Sequence, residues 1–168
     1  MQILGRICSG FALLLLAGCA SIPMETQRAW SSDIDLALSQ PPAALRADAD
    51  AGNRHAMIAY ALVLHYGLHG QPVDAKTADA YVARAVRPVR YDTMFIWIAA
   101  TKKMPGHLMP VSTPIYDYSP AQARVVDACA AIVAPQGDPA DLAAKLEKGV
   151  CGGTDNYHRL KGLWHATN

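Results

Sequence analysis

Hydrophobic positions fall into blocks separated by proline and glycine, and most blocks recur at helical spacing. The strongest is 56–64, Ala-Met-Ile-Ala-Tyr-Ala-Leu-Val-Leu, which is apolar nearly all round. A helix without a polar face is buried on more than one side. It ends in Tyr66-Gly67-Leu68-His69-Gly70, with glycine where a helix C-terminus favours it. Asp74 is placed to cap a second helix, on which Ala78, Val82, Ala85 and Val86 recur at intervals of three and four beside Tyr81, before Arg87-Pro88 closes it. The pair reads as an antiparallel helical hairpin whose small residues let the two axes approach closely.

Upstream, 20–32 shows no sustained period and reads as a tether. A short helix is expected from Ser32 or Asp33 to about Leu38, and Pro42 starts another that runs to about Asp50. Downstream, 91–103 holds the apolar run Met94–Ala100 and reads as a helix stacked on the hairpin as a degenerate following unit. Residues 104–118, with three prolines, read as a long loop. Ser119-Pro120 then opens a helix carrying Val125, Val126, Cys129, Ile132 and Val133 on one face. Asp138-Pro139 repeats that start signal for a helix to about Lys148, with Leu142 and Leu146 inward, and a last helix is expected from Asp155 to about His165. No run alternates convincingly at period two, so the expected fold is all-α, a small array of helical hairpins with C-terminal helices.

The N-terminal block is of another kind. Arg6 precedes the apolar run Phe11–Ala17, which stops at Gly18-Cys19. That is the layout of a secretory signal, and the run is too short for a span of about 20 residues. Leu16-Ala17-Gly18-Cys19 resembles the bacterial lipobox. The resemblance implies cleavage before Cys19, a diacylglycerol thioether on Cys19 and an acylated amine. Each buried acyl methylene contributes roughly 0.8 kcal/mol and stable anchoring takes more than one chain, so a triacylated Cys19 would hold the protein on a membrane without a spanning helix. Ala20 stands where the rule for inner-membrane retention wants Asp, which implies the outer membrane, facing the periplasm. The expected division is a signal peptide at 1–18, a lipidated tether at 19–40 and a helical domain at 41–168.

Composition narrows the function classes. With 52% hydrophobic and only 17% charged residues, the chain is no disordered segment. Its net charge is +1, and removing 1–18 removes Arg6 and no acid, leaving 14 basic against 14 acidic residues. No basic stripe for nucleic acid or anionic lipid is present. With Cys8 in the signal and Cys19 lipidated, Cys129 and Cys151 remain as an even pair in an oxidising compartment, which points to a disulfide, with two free buried thiols as the alternative. Such a bond would stabilise by roughly 3 kcal/mol. It requires the chain to fold back after Lys148, which Gly149, Gly152 and Gly153 permit.

The hairpin at 51–86 resembles one unit of the Sel-one-like repeat family, relatives of the tetratricopeptide repeats. Gly52-x3-Ala56 opens the unit; Tyr60-Ala61 stand where the family has Leu-Gly, and Leu64 where it favours Tyr. Gly67-x2-Gly70 followed by Pro72-Val73-Asp74 corresponds to its turn, one residue longer. Ala78, Tyr81 and Ala85 match its alanine and aromatic positions, and Arg84 its basic one. A single repeat cannot bury its own faces, so neighbouring helices must cover it.

Candidate chemistry is sparse. His65 and His69 have the spacing of a two-histidine metal site, but no His-Glu-x-x-His glutamate accompanies them and Gly67 falls between them. His158 and His165 are seven apart without an identifiable third ligand. Cys151-x6-His158 could pair a nucleophile with a base, yet a disulfide to Cys129 competes for the thiol. There is no glycine-rich phosphate loop and no Gly-x-Ser-x-Gly elbow. Asp48/Asp50 and Asp138/Asp141 read as caps and solvated faces. No catalytic, cofactor-binding or metal-binding residue is expected, no small-molecule substrate is evident, and the chain does not read as an enzyme. Most of Tyr60, Tyr66, Tyr81, Tyr91 and Trp97 are expected in the core, and the remainder offer a helical contact surface; Tyr116 and Tyr118 on the proline-rich segment are a second, with a loop packed over the core as the alternative. The functional expectation is a lipid-anchored interaction or scaffolding module for another envelope protein, pilotin-like in its most specific form. The rival class is an envelope hydrolase or metal-dependent enzyme using the histidines.

Overall fold

A computed structural model of the chain describes residues 24–134 and 149–167. In chain order its elements are α1 (Met24–Ser39), α2 (Pro42–Asp50), α3 (Arg54–Tyr66), a 3-10 turn (Leu68–Gly70), α4 (Ala75–Ala85), β1 (Arg90–Ile98), β2 (His107–Ile115), α5 (Pro120–Val133), a second 3-10 turn (Val150–Gly152) and α6 (Gly153–Thr167).

Helix α3 forms the axis of the body. The Asn53 side chain caps its start by accepting from the Ala56 N–H at 3.2 Å, and Gly67 ends it in the left-handed region at φ 67°. All nine residues from Ala56 to Leu64 are buried, so no side of that stretch faces water. Helices α1, α2, α4 and α5 pack around it. Ala56, Ala59 and Ala61 keep the contacts close, while Ile58, Leu62, Val63 and Leu64 fill the core, each contributing about 1.5–3 kcal/mol on full burial. Opposite α3, the Asp74 carboxylate caps α4 by accepting from the Thr77 N–H at 3.0 Å. Tyr60 and Tyr81 meet edge to face between the two helices, ring centres 5.1 Å apart. Ser119 opens α5 with a capping box to Gln122.

The fold is mostly helical, but the all-α expectation needs correction. Residues 91–103 do not form a helix and 104–118 do not form a loop; β1 and β2 lie there, paired antiparallel from Arg90↔Ile115 to Ile98↔His107. An apolar run without a polar face has no period to separate helix from strand, and the β-branched and aromatic residues Tyr91, Thr93, Phe95, Ile96, Trp97 and Ile98 favour the strand. Pro105-Gly106 lie in the connection, where a Cβ on Gly106 would overlap the Trp97 indole. The stacking role given to 91–103 falls instead to α1, α2 and α5. The short helix expected from Ser32 or Asp33 begins earlier, at Met24, and runs to Ser39. The helix expected at Asp138–Lys148, with Leu142 and Leu146, lies outside the described residues, as do Cys8, Cys19 and Ala20.

The reversal before α6 is as expected. Gly149, Gly152 and Gly153 all take positive φ, Cys151 itself sits at φ 60°, and the Asn156 amide donates to its carbonyl at 2.6 Å. Cys129 and Cys151 are disulfide-bonded, their Cα atoms 5.6 Å apart. Helix α6 then docks Leu160 and Trp164 inward, Trp164 meeting Tyr66 edge to face at 5.0 Å, and Arg159 grips both Asp35 oxygens on α1 at 2.6 and 3.0 Å. Replacing both Cys129 and Cys151 with serine is expected to lower unfolding stability by about 2–4 kcal/mol in urea titrations. Reductant should bring the native chain to the same midpoint and leave the variant unmoved.

Candidate functional site

Three helices leave a gap between them. Ile58, Ala61, Leu62 and His65 of α3, Ala78, Asp79 and Val82 of α4 with Val86 just beyond, and Pro120, Ala123, Arg124, Val126 and Asp127 of α5 line an open cavity of about 380 Å³. Its floor is apolar, with Asp79, Asp127, Arg124 and His65 as the polar groups. The gap exists because α3 meets α4 through alanines, and Ala78 and Ala123 carry too little side chain to close it. Burial pushes the nearby Tyr66 phenol up to about 12, with the negative charge of Asp127 as the second cause.

A polar anchor stands at the other end of α3. Asp33 on α1 is only 2% exposed, and both of its oxygens are engaged. Oδ1 lies 2.7 Å from Nδ1 of His55, and Oδ2 accepts from the Tyr118 hydroxyl at 2.6 Å. The His55 ring also meets Tyr118 edge to face at 5.2 Å. An ionised carboxylate has only lone pairs to offer, so it holds the imidazole proton on Nδ1. Burial nevertheless raises the Asp33 carboxyl above its ordinary value of 3.8, outweighing the hydrogen bonds from Tyr118 and His55 and the His55 charge. Tyr118 is raised as well, by burial and then by the Asp33 charge and bond.

Beside His55, Arg54 turns toward the end of α4. Its Nη1 donates to the carbonyls of Ala85 and Arg87, and its Nε lies 3.7 Å from Asp117. A guanidinium at a helix C-terminus satisfies carbonyls that have no helical partner and opposes the negative end of the dipole. The two roots of the β1–β2 ribbon, at 87 and 117, are therefore held by one side chain. A third polar junction joins α2 to α4. The Tyr81 hydroxyl donates to Asp50 at 2.8 Å and Arg84 Nη1 lies 3.5 Å from the same oxygen, so the Asp50 carboxyl sits below its ordinary value, chiefly through the Tyr81 bond.

The structure brings the repeat-like positions together. Ala56, Ala78, Tyr81 and Ala85 are buried in the α3–α4 hairpin; Gly52, Gly67 and Gly70 hold positive-φ turns, and Asp74 caps α4. It separates the histidines. The left-handed turn at Gly67 sends His69 to α1, where its Nε2–H donates to the Ala37 carbonyl at 2.7 Å, while His65 stays at the cavity. No group of three potential metal ligands occurs among the described residues. His158 and His165 are exposed on α6, and the Cys151 thiol is consumed by its bond to Cys129, so the Cys151–His158 pairing has no free nucleophile. Tyr60 and Tyr81 are core residues, Tyr118 belongs to the anchor, and Tyr91 and Trp97 stand exposed on the ribbon.

Sequence reasoning missed the roles of Asp33, Arg54 and His55, and it offered Tyr118 as a contact residue where the structure buries it against Asp33. Their partners lie 22 to 85 positions apart, and no local spacing announces them. Comparison with family models, curated proteins and solved structures finds no match to this chain.

Asp33 makes a signed claim about pH. A carboxyl whose folded value is raised contributes stability that is fully present below about 3.8 and is lost as pH rises through the folded value. The amide in Asp33→Asn does not titrate. Native stability relative to that variant is therefore expected to fall as pH rises from about 4, measured by thermal or urea unfolding. A difference that stays constant from about pH 3 to 7, or grows with pH, contradicts the burial argument.

Proposed function

We propose that the chain is a lipid-anchored envelope protein whose helical body binds a segment of another protein. The apolar cavity among α3, α4 and α5 carries this reading. It is open, it has the size of a site for a few side chains, and its polar groups lie around an apolar floor, the arrangement by which a groove takes the apolar face of a helix or an extended peptide. The near-neutral mature composition agrees with recognition by shape and apolar contact more than by charge. The α3–α4 hairpin supports a repeat-like scaffold, Leu16-Ala17-Gly18-Cys19 supports an acylated Cys19, and Ala20 after it supports the outer membrane, facing the periplasm. No helix among the described residues is long and apolar enough to cross a membrane. A pilotin-like escort is the most specific form of this proposal.

The rival reading, an envelope hydrolase, gains one observation, the Asp33–His55 pair, because a carboxylate on Nδ1 orients an imidazole as a general base. It is the weaker reading. Asp33, His55 and Tyr118 are absent from the lining of the cavity, and the pair is explained by joining α1, α3 and the segment before α5.

Mass spectrometry of the processed protein is expected to show an N-terminal Cys19 carrying acyl chains; an unmodified cysteine there defeats the anchor. A photo-crosslinking residue at Val82, inside the cavity, is expected to yield a discrete protein adduct in intact envelopes, lost in an Ala123→Arg background. The same probe at exposed Ala83 should give none. Equal adducts from both positions, or none from Val82, defeat the binding reading.

A further inference from the structure

The ribbon plays no part in that proposal, and its chemistry is unusual. Tyr91, Phe95 and Trp97 are 65–66% exposed, and Met94, Ile96 and Leu108 are also exposed. The register places Phe95 and Trp97 of β1 beside Pro110 and Leu108 of β2 on one face. Met94 and Ile96 stand beside Val111 and Met109 on the other. Strands apolar on both faces are normally covered on both. A two-stranded ribbon alone is also marginally stable in water and needs further strands or a packed layer.

The two edges differ. Proline has no N–H, so Pro110 and Pro114 fit positions where that group would point away from β1. The end pair Arg90↔Ile115 and the extra bond from the Val89 N–H to the Ile115 carbonyl agree with this parity. In β1 the even-numbered residues therefore bond inward. Tyr91, Thr93, Phe95 and Trp97 present their N–H and C=O groups outward in an unbroken row. The outer edge of β2 is blunted by two prolines and that of β1 is open, which makes β1 a template for another strand.

We propose that the added strand is β1 of a second copy, giving a twofold four-stranded sheet in the order β2–β1–β1–β2. Both outer edges of that sheet are proline-blunted, so association stops at two copies, as a closed isologous contact requires. The overlap is complete about an axis through Met94, which sets Tyr91 opposite Trp97 of the second copy and Thr93 opposite Phe95. Antiparallel pairing also carries each tip back toward the root of the other ribbon. The second copy's body then covers the distal apolar residues, which lie about 30 Å along the strand from their own. The area suffices: the three aromatic side chains alone offer roughly 300–500 Å², and the methionines, isoleucine and leucine bring the patch toward the about 800 Å² that each partner gives a standard interface. A lipid occupant fits less well. An open strand edge leaves backbone groups unsatisfied in hydrocarbon, and Lys102 and Lys103 stand at the tip.

Cysteine trapping in the full-length, membrane-bound chain tests this. Across the axis, residue 94 faces its own copy at a non-hydrogen-bonded position, with Cα atoms about 4.5 Å apart, within disulfide reach. Under mild oxidation Met94→Cys is expected to give a homodimer, mapped to 94–94 by mass spectrometry, at least tenfold above the native chain. Ser112→Cys, on the blunted edge, should give none above that background. Adding Thr93→Pro, which removes only an outward N–H, should abolish the Met94→Cys dimer while circular dichroism and the Cys129–Cys151 bond remain native. The proposal is overturned if Met94→Cys gives no homodimer, if it links to a different protein instead, or if Thr93→Pro leaves the dimer intact. It is likewise overturned if Trp97 fluorescence shifts to the blue on adding phosphatidylethanolamine–phosphatidylglycerol vesicles while the chain stays uncrosslinked. None of these outcomes depends on the cavity or on Val82, so the ribbon and the groove stand or fall separately.

Discussion

Everything in the body follows from the burial of α3. Nine successive residues without a polar face cannot lie on a surface, and a helix wrapped on every side needs several neighbours. Helices α1, α2, α4 and α5 supply them, and α6 closes over the remaining end through Trp164 and the disulfide. Alanines on α3 and α4 set how near the axes come. The same economy of side chain leaves the cavity against α5, so the close packing that stabilises the hairpin also creates its open face.

Apolar packing alone would not choose one arrangement of these helices. Polar junctions at the start of α3 add direction. Asp33 is costly to bury as a charge and is tolerable because His55 and Tyr118 meet both oxygens. It fixes α1 against α3 and pins the segment leaving the ribbon. Arg54 holds the segment entering it through the Ala85 and Arg87 carbonyls and reaches the segment leaving it through Asp117. Adjacent residues on the first turn of α3 therefore hold both roots of β1–β2. The ribbon projects from a rigid base even though its own length is exposed.

What was legible in the sequence was local. The apolar stretch and C-terminal end of α3, the Gly67 cap, the Asp74 and Ser119 caps and the glycines before α6 depend on residues within a turn of one another, and each lies where the pattern puts it, whereas the Asn53 cap that starts α3 was not read. The disulfide was legible from cysteine count and the glycines beside it. The ribbon was not, because an apolar run fit for two covered faces shows no alternation, and its prolines read as loop signals until the partner strand gives them an edge to occupy. The anchor was hidden for another reason. Asp33, His55 and Tyr118 are ordinary residues until tertiary packing brings them together, whereas His65 and His69, which do share a suggestive spacing, are parted by the turn between them.

The exposed ribbon carries a cost that bears on how such a protein is tolerated. A long apolar edge strand invites unlimited pairing with other chains. Pro110 and Pro114 remove donors from one edge at alternate outward positions, and Arg90 and Asp92, 3.6 Å apart, place charge at the proximal end of the other. What remains open is the row from Tyr91 to Trp97, long enough for one partner strand, with the charged pair at its proximal end and the lysine-bearing turn at 101–104 beyond its distal end. A surface evolved only for solubility would have placed charge there as well. Confinement of the open edge to one segment, with its neighbours closed, is the arrangement expected of a contact that must form once and then stop, and it is the reason the ribbon reads as an interface.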